Sequence, residues 1–178
     1  MIAAEPGLLP GRAADADART AEAWTVLDGV LDPEVPALSL TDLGIVRAVR
    51  AGDDGVDVVL TPTYSGCPAT EVIEQSVVDA LNAAGLGPVR VTLQRAPAWT
   101  TAWMSDDGRR KLREYGIAPP GAVDAARAAP LRFVSRRVAC PRCASADTEQ
   151  LSAFGATACK SLWRCRACRE PFEHFKAI

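Results

Sequence analysis

The chain is poor in histidine: His174 is the only one among 178 residues. A Cys–His or Ser–His catalytic pair is therefore excluded unless His174 reaches across the whole chain. Long hydrophobic runs are also missing, and none approaches the roughly 18 residues needed to span a bilayer. The stretch from Met1 to Arg12 lacks a basic flank followed by an apolar segment, so it does not read as a secretory leader. Aromatic residues make up only 6% of the chain, too few for a convincing base-stacking surface. No internal repeat is visible. The chain does have sulfur, with six cysteines, four of them in Cys-x-x-Cys pairs. Paired in this way and without a leader, they point to metal and a reducing cytoplasm rather than to disulfides.

The pairs are Cys140-Pro141-Arg142-Cys143 and Cys165-Arg166-Ala167-Cys168, separated by 21 residues. This is the spacing of a tetrathiolate zinc ribbon, in which each pair forms a tight turn and two hairpins clamp one ion. Four thiolates leave no open coordination position, so the expected role is structural zinc rather than metal catalysis. The same ligand set also accepts iron, as a single ion or a cluster. Cys159, between the pairs, reads as a small buried hydrophobe or a spare ligand. His174 reads as a packing residue beside Phe172 and Phe175.

The hydrophobic fraction of 48% is that of a folded protein. Charge is divided: residues 1–129 carry 11 basic and 18 acidic residues, residues 130–178 carry 9 and 4. An acidic body is thus followed by a basic tail, either as steering charge or as the solvated outside of a small ribbon.

The reading divides the chain into a disordered tail (1–19), an α+β domain (20–118), an Ala/Pro/Gly-rich linker (119–130) and a zinc ribbon (131–178). A first helix is predicted over Thr20–Leu31, capped by Thr20 and stopped by Asp32-Pro33-Glu34-Val35-Pro36. Strands follow at Ile45–Ala51 and Val56–Leu60 around the turn Gly52-Asp53-Asp54-Gly55. A helix then buries Ile73, Val77, Ala80, Leu81 and Ala84 along one face, and Val89–Leu93 forms a third strand. Ser105 caps a last helix rich in Arg and Lys.

Cys67 stands before Pro68, a favoured first helical residue, so it is expected to cap the helix there. Oriented N–H groups would then lower its pKa, making it a transient metal ligand or an exchange nucleophile; the alternative is a buried cap without chemistry. Gly66 would allow close backbone approach. Asp32, Glu34 and Asp42 are candidate acids near the same face, with turn formation as their plainer role. Trp99, Trp103 and Met104 read either as packing onto the sheet or as an exposed ridge for a protein partner. A ridge would make the protein a structural adaptor. Arg136, Arg137, Arg142, Arg164, Arg166 and Arg169 would instead suit a nucleic-acid-binding ribbon, and iron in the ribbon an electron-transfer subunit.

Asp32-Pro33-Glu34-Val35-Pro36, Asp42-Leu43-Gly44-Ile45-Val46, Thr61-Pro62-Thr63 and Gly66-Cys67-Pro68 together resemble the metal–sulfur cluster assembly domain of SufT-type proteins. The resemblance covers residues 20–118. The run from Leu151 to Lys160, followed by Cys165, Cys168 and Glu170-Pro171-Phe172, resembles the tail of the PaaD (PaaJ) family, accessory subunits of bacterial phenylacetyl-CoA epoxidase systems. The resemblance implies a non-catalytic role in phenylacetate degradation. Its implied partners are a di-iron oxygenase and a flavin/iron–sulfur reductase, whose metal centres the subunit would help mature. It marks Cys67 as the reactive thiolate for a transient iron or iron–sulfur cluster, supported by Asp32, Glu34, Asp42, Thr61, Thr63 and Gly66. No membrane is implied, and nucleic acid is not an expected partner.

Overall fold

The computed structural model describes residues 18–52, 54–64, 66–121 and 138–178. Most of the predicted tail and most of the predicted linker lie outside these residues. The chain forms two compact units, one ending at Gly108 and the other beginning at Arg109. Among the described residues, no helix is long and apolar enough to cross a membrane.

In the first unit, α1 (Ala18–Leu27) buries Ala23, Trp24 and Leu27. It starts earlier and stops sooner than predicted. Thr20 lies inside it, and its Oγ1 accepts a bond from the Ala51 amide at 3.2 Å instead of capping the helix. After Leu27 the chain leaves helical geometry through tighter turns, and Leu31 pairs with Ser39 as an isolated antiparallel bridge. The loop that follows is itself core: Val35, Leu38, Leu40 and Leu43 are all buried. Asp32 organises its start, since Oδ1 accepts from the amides of Glu34 at 2.9 Å and Val35 at 2.7 Å.

β1 (Val46–Gly52) and β2 (Gly55–Leu60) form the predicted hairpin, closed at the Gly52–Gly55 pair. α2 (Thr70–Ala83) crosses over to β3 (Val89–Leu93), which pairs parallel to β2 in the order β1-β2-β3. Val56, Val58 and Leu60 of β2 are buried, as are Ile73, Val77 and Leu81 of α2. Alternation along the strand and the i, i+4, i+8 spacing on the helix supply complementary apolar faces. Ala84 caps the helix end and is exposed, so the apolar face stops one turn short of the prediction.

The expected aromatic ridge is not a ridge. Trp99 is 3% exposed and its indole N–H donates to the Leu43 carbonyl at 3.0 Å. Met104 is buried as well. Trp103, in a 3₁₀ turn (Thr101–Trp103), is partly covered by the Arg47 guanidinium, 3.5 Å from the ring centroid. Gly44 explains the close fit: its φ is +69°, and a Cβ there would lie 2.4 Å from the Trp103 carbonyl oxygen. Only glycine tolerates both conditions. Ser105 caps α3 (Asp106–Tyr115) as predicted, its Oγ accepting from the Gly108 amide at 2.9 Å.

In the second unit β4 (Ile117–Ala118) pairs parallel to β7 (Pro171–Phe175), which pairs antiparallel to β6 (Lys160–Cys165). β5 (Thr148–Ser152) completes the sheet in the order β4-β7-β6-β5. Ile117 and Ala118, expected to close the first domain, are therefore a strand of the ribbon sheet.

Truncating Trp99 to Ala should cost about 3–5 kcal/mol, as for a buried aromatic, and lower the urea midpoint of the chain. Trp103→Ala should cost clearly less. Equal, negligible effects on denaturation would return both residues to the surface.

Candidate functional site

Each Cys-x-x-Cys pair sits on a tight turn of the second unit. The Ala144 amide donates to the Cys140 carbonyl at 2.9 Å, and the Cys165 amide donates to the Glu170 carbonyl at 3.0 Å. The residue four places after each leading cysteine, Ala144 or Arg169, has a positive φ of 60° or 67°. The two turns are thus built alike, and both bring backbone amides toward sulfur. Cys140 and Cys165 are buried among Ala118, Val138, Trp163 and Phe172, whereas Cys143 and Cys168 are exposed.

The four Sγ atoms lie within 4.8 Å of one another. Cys140 Sγ is 3.8 Å from Cys168 Sγ, and Cys143 Sγ is 3.5 Å from Cys165 Sγ. A tetrahedral ion with metal–sulfur bonds of about 2.3 Å requires sulfur separations of about 3.8 Å, so the donor set fits. The Cys168 amide and the neighbouring sulfurs pull the Cys165 thiol down to about 7. Cys168 is pushed up to about 12: a Glu170 amide pulls it down, but desolvation by its immediate neighbours and the adjacent sulfurs outweigh it. Four charges this close cannot persist without a cation.

His174 and Cys159 are not in this group. His174 is buried, lies edge-on to Trp163 at 6.0 Å between ring centroids, and has Nδ1 3.3 Å from Ser161 Oγ. Cys159 is buried with its Sγ 3.0 Å from Thr157 Oγ1. Both take the packing roles that sequence allowed. The basic residues of the ribbon are partly neutralised, since Glu149 receives both Arg164 and Arg166. Arg136 and Arg137 lie outside the described residues.

Cys67 is half-buried in the first unit. It does not cap α2: the residue before the helix is Ala69, and Cys67 lies between two consecutive turns. Its amide donates to the Tyr64 carbonyl at 3.3 Å, and its own carbonyl accepts from the Thr70 amide at 3.2 Å and Thr70 Oγ1 at 2.8 Å. The lowered pKa expected of a capping thiol does not follow from this setting. Burial pushes the Cys67 thiol up from 9.0, and the carboxylates of Glu34 and Asp32 push it further. The Ala69 amide and the Tyr64 hydroxyl oppose this without reversing it. Sequence placed the helix start two residues too early; it did place Asp32 and Glu34 near the same face, and their charge acts on the sulfur.

The other expected loop residues divide. Asp42 accepts from the Ser39 amide at 3.1 Å and from Ser105 Oγ at 3.1 Å, so it ties the loop to the start of α3. Thr61 is buried, and among the described residues its Oγ1 has no hydrogen-bond partner. Thr63 is half-buried, and Gly66 faces open space, so no close approach depends on it. Among the described residues, Cys67, Asp32 and Glu34 do not converge into a ready metal cage.

Residues 125–176 match the PaaD zinc beta ribbon domain, and residues 20–93 match the iron–sulfur cluster assembly protein family. The chain is 50% identical over 157 residues to a putative 1,2-phenylacetyl-CoA epoxidase subunit of Escherichia coli (strain K12), covering 88% of this chain and 92% of that protein. The chain belongs to the PaaD family. The chain is also similar to the Fe-S protein maturation auxiliary factor of Porphyromonas gingivalis (strain ATCC BAA-308 / W83), with 34% identity over 89 residues, covering 49% of this chain and 84% of that protein. A solved structure of a domain of unknown function, DUF59, from Bacillus anthracis shares the fold at a TM-score of 0.50 and 26% identity, covering 53% of this chain and 92% of that one. An assembly-type α+β fold and a PaaD-type ribbon thus meet in one polypeptide.

Because Cys165 and Cys168 titrate between about 7 and about 12 without an ion, protons compete with metal for the ribbon. Chelator should therefore strip metal faster at pH 5.5 than at pH 8, with loss of the near-ultraviolet circular dichroism of Trp163; release that ignores pH would contradict this. For Cys67 the alkylation rate, followed by mass spectrometry of its peptide in the metal-loaded protein, should rise with a midpoint above 9.0. Glu34→Gln should shift that midpoint down; a midpoint below 9.0 in the native chain would restore the activated thiolate.

Proposed function

We propose that this chain is a non-catalytic, cytoplasmic accessory subunit of a phenylacetyl-CoA epoxidase system, and that it assists iron–sulfur or metal-centre maturation of the oxygenase or reductase components. The observation that carries the reading is the joining of an assembly-type fold, bearing a lone thiol outside the ribbon, to a complete four-thiol ribbon. The similarity to the epoxidase subunit of Escherichia coli extends over nearly the full length of that protein, so it takes in both parts.

Within this reading the sulfurs have two tasks. Cys140, Cys143, Cys165 and Cys168 hold a structural zinc ion, which replaces core that a small sheet cannot build. Cys67 serves as the transient ligand for iron or an iron–sulfur cluster, here the cargo. The thiol rests protonated. It gives up its proton as the metal–sulfur bond forms, since a metal ion deprotonates a coordinating thiol. The charge of Glu34 and Asp32, which disfavours a bare thiolate, favours an incoming cation. Asp32 and Asp42 act indirectly by shaping the loops, and Thr61 and Thr63 line the strand end that leads to Cys67.

The test is to replace Cys67 with Ser and measure iron and sulfide in the co-expressed reductase together with epoxidation. Cluster occupancy should fall several-fold while the zinc content of the ribbon stays unchanged. Full occupancy and full epoxidation in the variant would remove the proposed role of Cys67.

A further inference from the structure

The hairpin loop between β5 and β6 is tied to β7 through Glu173. Lys160, with a side chain only 5% exposed, pairs with Glu173 at 2.8 Å. The other Glu173 oxygen accepts from the Ala156 amide at 2.7 Å. A Cβ on Gly155 would lie 2.5 Å from that same oxygen, so the loop closes directly over the carboxylate. The Gly155 amide also donates to the Lys160 carbonyl at 2.8 Å.

This fixed loop displays apolar side chains outward. Phe154 is 64% exposed, the most exposed large hydrophobic residue among those described. Leu151, three residues earlier, is 50% exposed. β5 is an edge strand, and its register slips between Gln150 and Ser152, leaving Leu151 without a partner on β6. Such a bulge re-aims a side chain and spoils an edge for strand addition. The feature therefore favours side-chain docking over pairing with a second copy's strand.

Charge narrows the partner. Lys176 Nζ lies 4.3 Å from the Phe154 ring centroid and donates to the Ala153 carbonyl at 3.3 Å. Among the described residues it has no carboxylate partner. The nearby acids are already engaged: Glu173 by Lys160 and Ala156, Glu149 by Arg164 and Arg166. The face is thus apolar with one uncompensated positive charge. Because Arg164 and Arg166 are already engaged by Glu149, with Asp147 near Arg166, a polyanion such as nucleic acid is poorly served.

We propose that Leu151, Phe154 and Lys176 form a docking face on the ribbon for a protein partner that presents an apolar side chain flanked by a carboxylate. The inference deepens the functional reading above, on which it rests for the partner's identity: a component of the epoxidase system. Exposed aromatics on rigid supports are the residues that dominate interfaces.

The test uses the full metal-loaded chain and the purified oxygenase and reductase components, with Kd measured by titration calorimetry and client cluster content measured in parallel. Phe154→Ser and Lys176→Glu should each weaken binding about tenfold or more, Leu151→Ser somewhat less, with bound metal unchanged in all three. If the native chain and all three variants bind and mature the client alike, the docking face is overturned while the maturation reading stands. If the native chain neither binds nor matures either component, both fall. If sedimentation instead reveals a dimer that Phe154→Ser dissociates, the face belongs to a second copy and the proposal is overturned.

Discussion

Four sulfur atoms within 4.8 Å of one another form the interaction on which the second unit depends. Thiolates at that distance repel strongly unless a cation sits among them. The opposed behaviour of Cys165 and Cys168, one pulled down and the other pushed up, expresses that conflict among adjacent sulfurs. The rest of the unit is arranged around it. Cys140 and Cys165 face Trp163, Phe172, Val138 and Ala118, so the ligand cluster and the apolar core share residues. β4 closes the sheet beside β7, and the small core gains one more strand.

The first unit follows a different logic. Its sheet is covered by ordinary helix packing, and its one cysteine lies outside the core in a loop of consecutive turns. Burial and two carboxylates push that thiol's pKa up, the reverse of the setting that produces a ready nucleophile. A protonated thiol beside acids is a poor attacker of disulfides but a reasonable host for a cation that displaces the proton. The four-sulfur cluster and the single thiol thus differ in chemistry as well as in place: one gathers four donors on two turns, and the other stands beside two carboxylates.

Much of this was legible from the chain. The hairpin around Gly52 and Gly55, the strand Val89–Leu93, the apolar face of Ile73, Val77 and Leu81 and the Ser105 cap all appear where local pattern put them. Their signals are short-range, carried by period, turn residues and capping chemistry. The failures differ in cause. Thr20 turned from cap to strand contact, Cys67 fell short of the helix start, and Trp99 and Met104 went inward. Two of these outcomes involve neighbours distant in sequence, Ala51 for Thr20 and Leu43 for Trp99, whereas Cys67 is held by the local turns to Tyr64 and Thr70.

Sequence by itself determined the four metal-binding cysteines, because two short spacings on tight turns nearly define a tetrahedral site wherever the chain carries them. It also determined the α+β order and the presence of one cysteine apart from the ribbon. Tertiary structure alone decided the electrostatic state of Cys67, the burial of Trp99, the pairing of Arg164 and Arg166 with Glu149, and the outward turn of Leu151 and Phe154. The physical reason is range. Turn and ligand geometry are written within a few residues, whereas solvation and charge depend on what the rest of the fold brings alongside.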